Sequence, residues 1–200
     1  MYFDAVDRFI LQKNTSFYCN YTGFGVDNVM HRLLYPMRTY LVVSGRLGEE
    51  VDVMAADWVT AVSARPFIVA VAIAPSRYTF KLVKKYREFV ISVPSIEMLK
   101  DVWIAGSEHG PQKLRKMNIN LEMGQRIGTP IIKEALANLE CEVIGEHEYG
   151  DHLLFVGRVV AYSYRENVFR DFKPDLSAGF VAHIALNEFA SFANTILRVG

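Results

Sequence analysis

The stretch LECEVIGEHEYGDHLLFVGRVVAYSY, residues 139–164, decides the fold. It begins by alternating. Leu139, Cys141 and Val143 are apolar and Glu140 and Glu142 are charged, the period of a strand with one buried face. Gly150-Asp151 follows as a two-residue hairpin turn. The return strand, LLFVGRVVAYSY, contains Gly157, where a missing Cβ marks a bulge or the close approach of another group.

Outward from this hairpin, FIVAVAIA (67–74) is apolar at every position and too short for most helices, so it reads as a buried strand. RTYLVVSGR after Pro36 and FVISVP (89–94) are further strands, and VDVMAADWVTAVSARP (51–66) mixes strand runs with small residues. Between them Phe80, Val83 and Arg87 share one helical face, and Ser76 is the expected N-cap. Ser95 is expected to cap a second helix that stops at Gly106. Pro111 suits a first helical position, and Thr129-Pro130 is expected to open a helix over IIKEALA in the same way. HIALNEFASFANTI (183–196) leaves a helix and an edge strand both open. Hairpins on glycine turns with a few inserted helices argue for a mainly β antiparallel barrel with peripheral helices. A doubly wound sheet needs strands and helices in regular alternation, which the second half lacks. Residues 1–35 are expected to form an N-terminal arm and 36–200 the barrel domain.

Composition narrows the function. Hydrophobic residues make up 51% of the 200, enough for a core, and 22 basic residues balance 22 acidic ones. With no net field, nucleic acid and anionic membrane are not expected partners, and any anion site must be local. The two cysteines, Cys19 and Cys141, form no CxxC or metal spacing, so no metal is expected and a reducing cytoplasm fits. The acidic start lacks signal-peptide form, and the longest apolar run is too short for a bilayer.

Four segments carry chemistry. After the apolar run, PSRYT (75–79) puts the Ser76 and Thr79 hydroxyls and the Arg77 guanidinium at a helix N-terminus, where a phosphate finds charge and directed donors. An ordinary cap with a solvated arginine explains the same residues. In AADWVTAVSARP (55–66), small residues admit a flat ligand, Asp57, Thr60 and Ser63 can bond its polar edge, and Trp58 can pack on it. A strand with a buried tryptophan is the plainer account. GSEHGPQK (106–113) offers Lys113 to an anion or is a solvated loop, and His152 beside the hairpin turn either meets a substrate or is a surface histidine. GFGVDN is no dinucleotide fingerprint, HEYGDH is no zincin motif, and no P-loop occurs.

The order of these segments resembles the flavin reductase-like, FMN-binding split-barrel family, with flavoredoxin-type relatives. YPMRTYLVVSGR, VMAADWVTAVSARPFIVAVAIAPSRYTFKLVKKYREFVISVP, AGSEHGPQK and ALANLECEVIGEHEYGDHLLFVGRVVAY carry the likeness over about residues 35–165. The resemblance implies a six-stranded antiparallel split barrel, a homodimer and a flavin in each subunit, FMN before FAD or riboflavin. It implies that Asp57, Trp58, Val59, Thr60 and Ser63 line the rings and ribityl chain, that Ser76, Arg77, Tyr78 and Thr79 hold the phosphate with Lys113 assisting, and that His152 stands where a nicotinamide approaches. The resemblance is incomplete at one point: many two-component reductases of that family carry Asn-Ser-Phe where this chain has Asp57-Trp58-Val59. The implied activity is NAD(P)H-dependent hydride transfer to flavin N5, the flavin doing the redox chemistry. The alternatives are a flavin electron carrier reduced by a redox protein partner, and a barrel that binds no flavin.

Overall fold

A computed structural model describes residues 30–199, and the chain divides between Leu33 and Leu34. Of the first unit the described residues are Met30–Leu33, the start of a 3-10 turn that runs to Leu34. The second unit runs β1 (Met37–Arg38), β2 (Tyr40–Gly45), β3 (Val51–Ala56), β4 (Val59–Ala64), β5 (Phe67–Ile73), α1 (Tyr78–Tyr86), β6 (Glu88–Val93), α2 (Leu99–Ser107), β7 (Leu121–Glu122), β8 (Ile131–Ile132), β9 (Ala137–Tyr149), β10 (His152–Tyr164), β11 (Phe169–Arg170), β12 (Lys173–Pro174), β13 (Val181–Ala185) and β14 (Glu188–Ser191).

The hairpin read from residues 139–164 is β9–β10, and it is the spine of the sheet. Gly150, at φ +60°, makes its turn, and His152 pairs with Tyr149. Gly157 lies at a register shift, and a Cβ there would stand 2.5 Å from Phe89 Cζ, so both the bulge and the close approach are present. The sheet order is β3-β2-β6-β9-β10-β5-β4, antiparallel throughout. This mainly β, split-barrel architecture has seven strands in its main sheet where six were expected. Its two edge strands, β3 and β4, are consecutive in the chain and joined by Asp57 and Trp58. The split therefore falls at a two-residue link.

Both faces of β2 are covered. Leu41 and Val43 of β2 pack with Val102 and Ala105 of α2, while Val42 packs with Val83 of α1, Phe89 and Phe155. A strand covered on both faces shows continuous apolar character, and β2 is buried along almost its whole length. The helix α1 closes on Arg87, which takes the left-handed conformation (φ +59°) and returns its N–H to the Val83 carbonyl.

Three local expectations give way, and the open one at residues 183–196 resolves as strand. The helix α1 starts after Arg77, not Ser76, because residues 74–77 form a turn closed by the Arg77 N–H on the Ala74 carbonyl. Ser95 precedes a 3-10 turn (Ile96–Met98) without a side-chain cap, its backbone bridged to Phe180, and α2 continues through Gly106 to Ser107. Thr129-Pro130 opens β8 instead of a helix, since Asn138 ties down both polar groups of Ile132. Residues 183–196 contribute the rest of β13 and all of β14, a hairpin in which β13 also pairs with β1. Among the described residues no helix is long and apolar enough to cross a membrane.

Candidate functional site

The split opens into a cavity of about 380 Å³, within the range of small-molecule sites. Three pieces of the sheet meet there. The end of β3 and the link supply Met54, Ala55, Ala56, Asp57 and Trp58. The end of β5 and the turn into α1 supply Ala72, Ile73, Ala74, Ser76 and Arg77. The hairpin tip supplies His152, because Leu153 of β10 pairs with Ile73 of β5 and so sets His152 beside the end of β5. Tyr35 and His109 complete the wall.

The turn before α1 brings cationic character. Arg77 stands at the N-cap position in extended conformation, no acidic residue occupies the first turn of α1, and the Phe80 N–H reaches back to the Arg77 carbonyl. The Arg77 Nη1 donates to the Gly106 carbonyl at 3.1 Å near the end of α2. A guanidinium has five N–H donors, so this anchor fixes the fork and leaves others for a ligand.

The link between β3 and β4 is held from two sides. Asp57 accepts from Thr39 Oγ1 at 2.7 Å on one oxygen, and from Tyr35 Oη at 3.0 Å and His183 Nδ1 at 2.7 Å on the other. The Trp58 carbonyl accepts from the Ala72 N–H of β5 at 3.1 Å. The Trp58 ring lies 4.6 Å from the His152 ring, and His152 Nδ1 is 2.7 Å from Asp151 Oδ1. Val59, Thr60 and Ser63 run away along β4 and are not on the cavity wall, and the Thr60 hydroxyl donates to the Ala61 carbonyl.

A buried charge pair stands behind the turn. Lys113 and Asp52 are almost fully buried and 3.1 Å apart. The Thr79 hydroxyl, fully buried, donates to the other oxygen of Asp52, and Tyr78 Oη donates to Glu50 at 2.7 Å. Burial pulls the Lys113 ammonium below the ordinary lysine value, and the Asp52 charge offsets part of this. Of the residues singled out from sequence, the structure thus brings Asp57, Trp58, Ser76, Arg77 and His152 to one cavity. Val59, Thr60, Ser63, Tyr78, Thr79 and Lys113 lie off its wall.

Sequence reasoning passed over Tyr35, His109 and the partners of Asp57. His109 carried a signal, as a histidine between the glycines of GSEHG. His183 carried none, since its partner lies 126 residues away. Among the described residues no cluster of side chains could hold a metal ion, and Cys141 is a free, buried thiol whose pKa burial raises.

Residues 30–177 match the sequence model of the Flavin reductase like domain. An uncharacterized protein of Pyrococcus abyssi is 60% identical over 168 residues, covering 84% of this chain and 97% of its own. An NADH-dependent FAD reductase of Streptomyces globisporus is 27% identical over 158 residues, covering 74% of this chain and 86% of its own. Among solved structures, an FMN-binding protein from Thermus thermophilus, crystallised with 1-cyclohex-2-enone, superposes with a TM-score of 0.78 at 28% identity, over 93% of this chain and all of its own.

Proposed function

The chain belongs to the flavin reductase-like family, and from that premise we propose that it holds FMN in the cavity at the split and takes hydride for it from NADH or NADPH. One observation carries the reading. A single cavity joins an arginine at a helix N-terminus, with a serine beside it, to a tryptophan–histidine ring pair and a run of small residues. That donor set suits a phosphate ester with a flat aromatic system attached. FAD and riboflavin fit less well, the one for its second nucleotide and the other for its missing phosphate.

Arg77 and Ser76 bind the phosphate, and the Gly106 carbonyl keeps the Arg77 fork aimed. Tyr78, Thr79 and Lys113 act from behind, holding the turn through Glu50 and Asp52. Met54, Ala55 and Ala56 let a flat ligand lie close to the backbone of β3. Trp58 packs on the rings, and His152, braced by Asp151, borders the face where a nicotinamide approaches. Bound there, FMN supplies the hydride acceptor, so no side chain has to act as acid or base. The NADH-dependent FAD reductase among the relatives supports a nicotinamide donor. A homodimer belongs to the same proposal: β4 runs from the cavity as an exposed edge strand, with Val62 prominent on it.

The test is spectroscopic. Purified protein given FMN should turn yellow and retain the colour through desalting or ultrafiltration, and should bleach anaerobically with NADH or NADPH. A protein that takes up no FMN overturns the reading. One that binds FMN yet resists both nucleotides while accepting electrons from a reduced protein is an electron carrier instead.

A further inference from the structure

The match to the family ends at residue 177, yet a residue beyond it is bonded to the cavity wall. Asp57 borders the cavity, but its carboxylate is engaged elsewhere, by Tyr35, Thr39 and His183. His183 is mostly buried on β13. It is the only one of the three with a second ring nitrogen to anchor it, and both nitrogens are engaged. Its ring stacks on Phe189 of β14 at 4.8 Å and meets the Tyr35 ring edge-on at 5.5 Å. Nδ1 donates to Asp57, and Nε2 reaches the Leu186 carbonyl at 3.0 Å.

The geometry points to His183 as a positioning residue of the candidate flavin site, acting through Asp57 on Trp58. Three links carry the effect. Leu186, in the β13–β14 turn, fixes the far side of the imidazole. The imidazole fixes the Asp57 carboxylate through the 2.7 Å hydrogen bond from Nδ1. Asp57 then fixes the peptide it shares with Trp58, whose carbonyl is already tied to β5, and this sets the indole against His152. The assignment rests on the flavin reading for its ligand but not for its geometry.

The two ring nitrogens can be separated by substitution. In His183→Asn the amide nitrogen takes the place of Nδ1, so the bond to Asp57 survives and the one to Leu186 is lost. In His183→Gln the longer amide takes the place of Nε2 and Asp57 is abandoned. His183→Ala removes both. Two tryptophans occur, so a Trp103→Phe background makes Trp58 the sole emitter and gives a readout without flavin. Trp58 emission and FMN affinity are measured on all four proteins, with thermal melts to establish folding. Glutamine and alanine should shift the emission and weaken FMN by about tenfold, the scale of a bond to a charged group, and asparagine, which keeps that bond and gives up only the one to Leu186, should recover most of both. If alanine does not fold, the asparagine–glutamine pair decides. Asparagine no better than glutamine, or wild-type emission in every variant, overturns the role. A wild-type protein that ignores FMN overturns the flavin reading instead, and the emission comparison still decides what His183 does.

Discussion

Removing Arg77 tests the phosphate assignment most directly. Its guanidinium is half-buried, stands at the start of α1 and is already aimed by the Gly106 carbonyl. A ligand phosphate therefore meets a donor whose ordering is done in advance. One charge-assisted hydrogen bond is worth about 1.5–3 kcal/mol, so Arg77→Ala should weaken FMN by roughly tenfold to a hundredfold or somewhat more. Riboflavin, which has the same rings and no phosphate, is the control. Its affinity should stay where it was, because Trp58, His152 and the small residues of β3 are untouched. Arg77→Lys keeps the charge and loses the fork, and should fall between. The change also strips the Gly106 carbonyl of a donor, which lowers stability by about 1 kcal/mol without choosing between the two flavins. Fluorescence titration of both flavins against the three proteins reads all of this. Equal losses for FMN and riboflavin would show that Arg77 shapes the cavity rather than binding phosphate, and unchanged FMN affinity would refute the assignment outright.

Two further outcomes concern the scaffold. Lys113→Met leaves the Asp52 carboxylate buried without its cation and should cost about 3–5 kcal/mol in urea unfolding, most of it regained in the Asp52→Asn/Lys113→Met double variant. The Lys113 ammonium is lowered in the folded state from its ordinary 10.5, so between its folded and ordinary values the unfolded chain binds more protons and stability gains with rising pH; that contribution should vanish in the double variant. Gly157→Ala drives a Cβ into Phe89 and should destabilise by about 1–3 kcal/mol, with Phe89→Leu relieving part of it, as thermal melts would show.

The strands were legible because each carries its own signal. Alternation at Leu139–Val143, the Gly150 turn and the unbroken apolar run at 67–74 depend only on neighbours in the chain, though the alternation marked the strand and not its faces: Glu140 is buried, where its carboxylate accepts from the Gln125, Arg126 and Ile127 N–H groups. The caps were less legible because a serine before an apolar run can either cap a helix or sit in a preceding turn, and backbone bonds to Ala74 and Phe180 decided the matter. Thr129-Pro130 misled for a related reason: Asn138 captures the Ile132 backbone from the neighbouring β9. In the site, PSRYT announced that several polar groups share a turn, but which of them face the cavity is a matter of what stands behind. Asp52 is buried opposite Thr79, and Lys113 arrives from a later turn to pair with it. Nothing in residues 75–79 encodes that.

The position of the cavity follows from a conflict at the link. Two antiparallel strands separated by two residues ordinarily form a hairpin, and β3 and β4 are so separated. Instead they end the sheet on opposite sides, β3 on β2 and β4 on β5. The two link residues are held in different directions. The Asp57 side chain is bonded to Tyr35, to Thr39 between β1 and β2, and to His183 on β13, a strand of the small β1-β13-β14 sheet. The Trp58 carbonyl is bonded to β5 in the main sheet. Closing β3 on β4 would require one set of these bonds to break, and losing the Asp57 set would strip a partly buried carboxylate of three hydrogen-bond donors. The split is therefore a bonded feature of the fold, and its mouth is lined by the same two residues that keep it open.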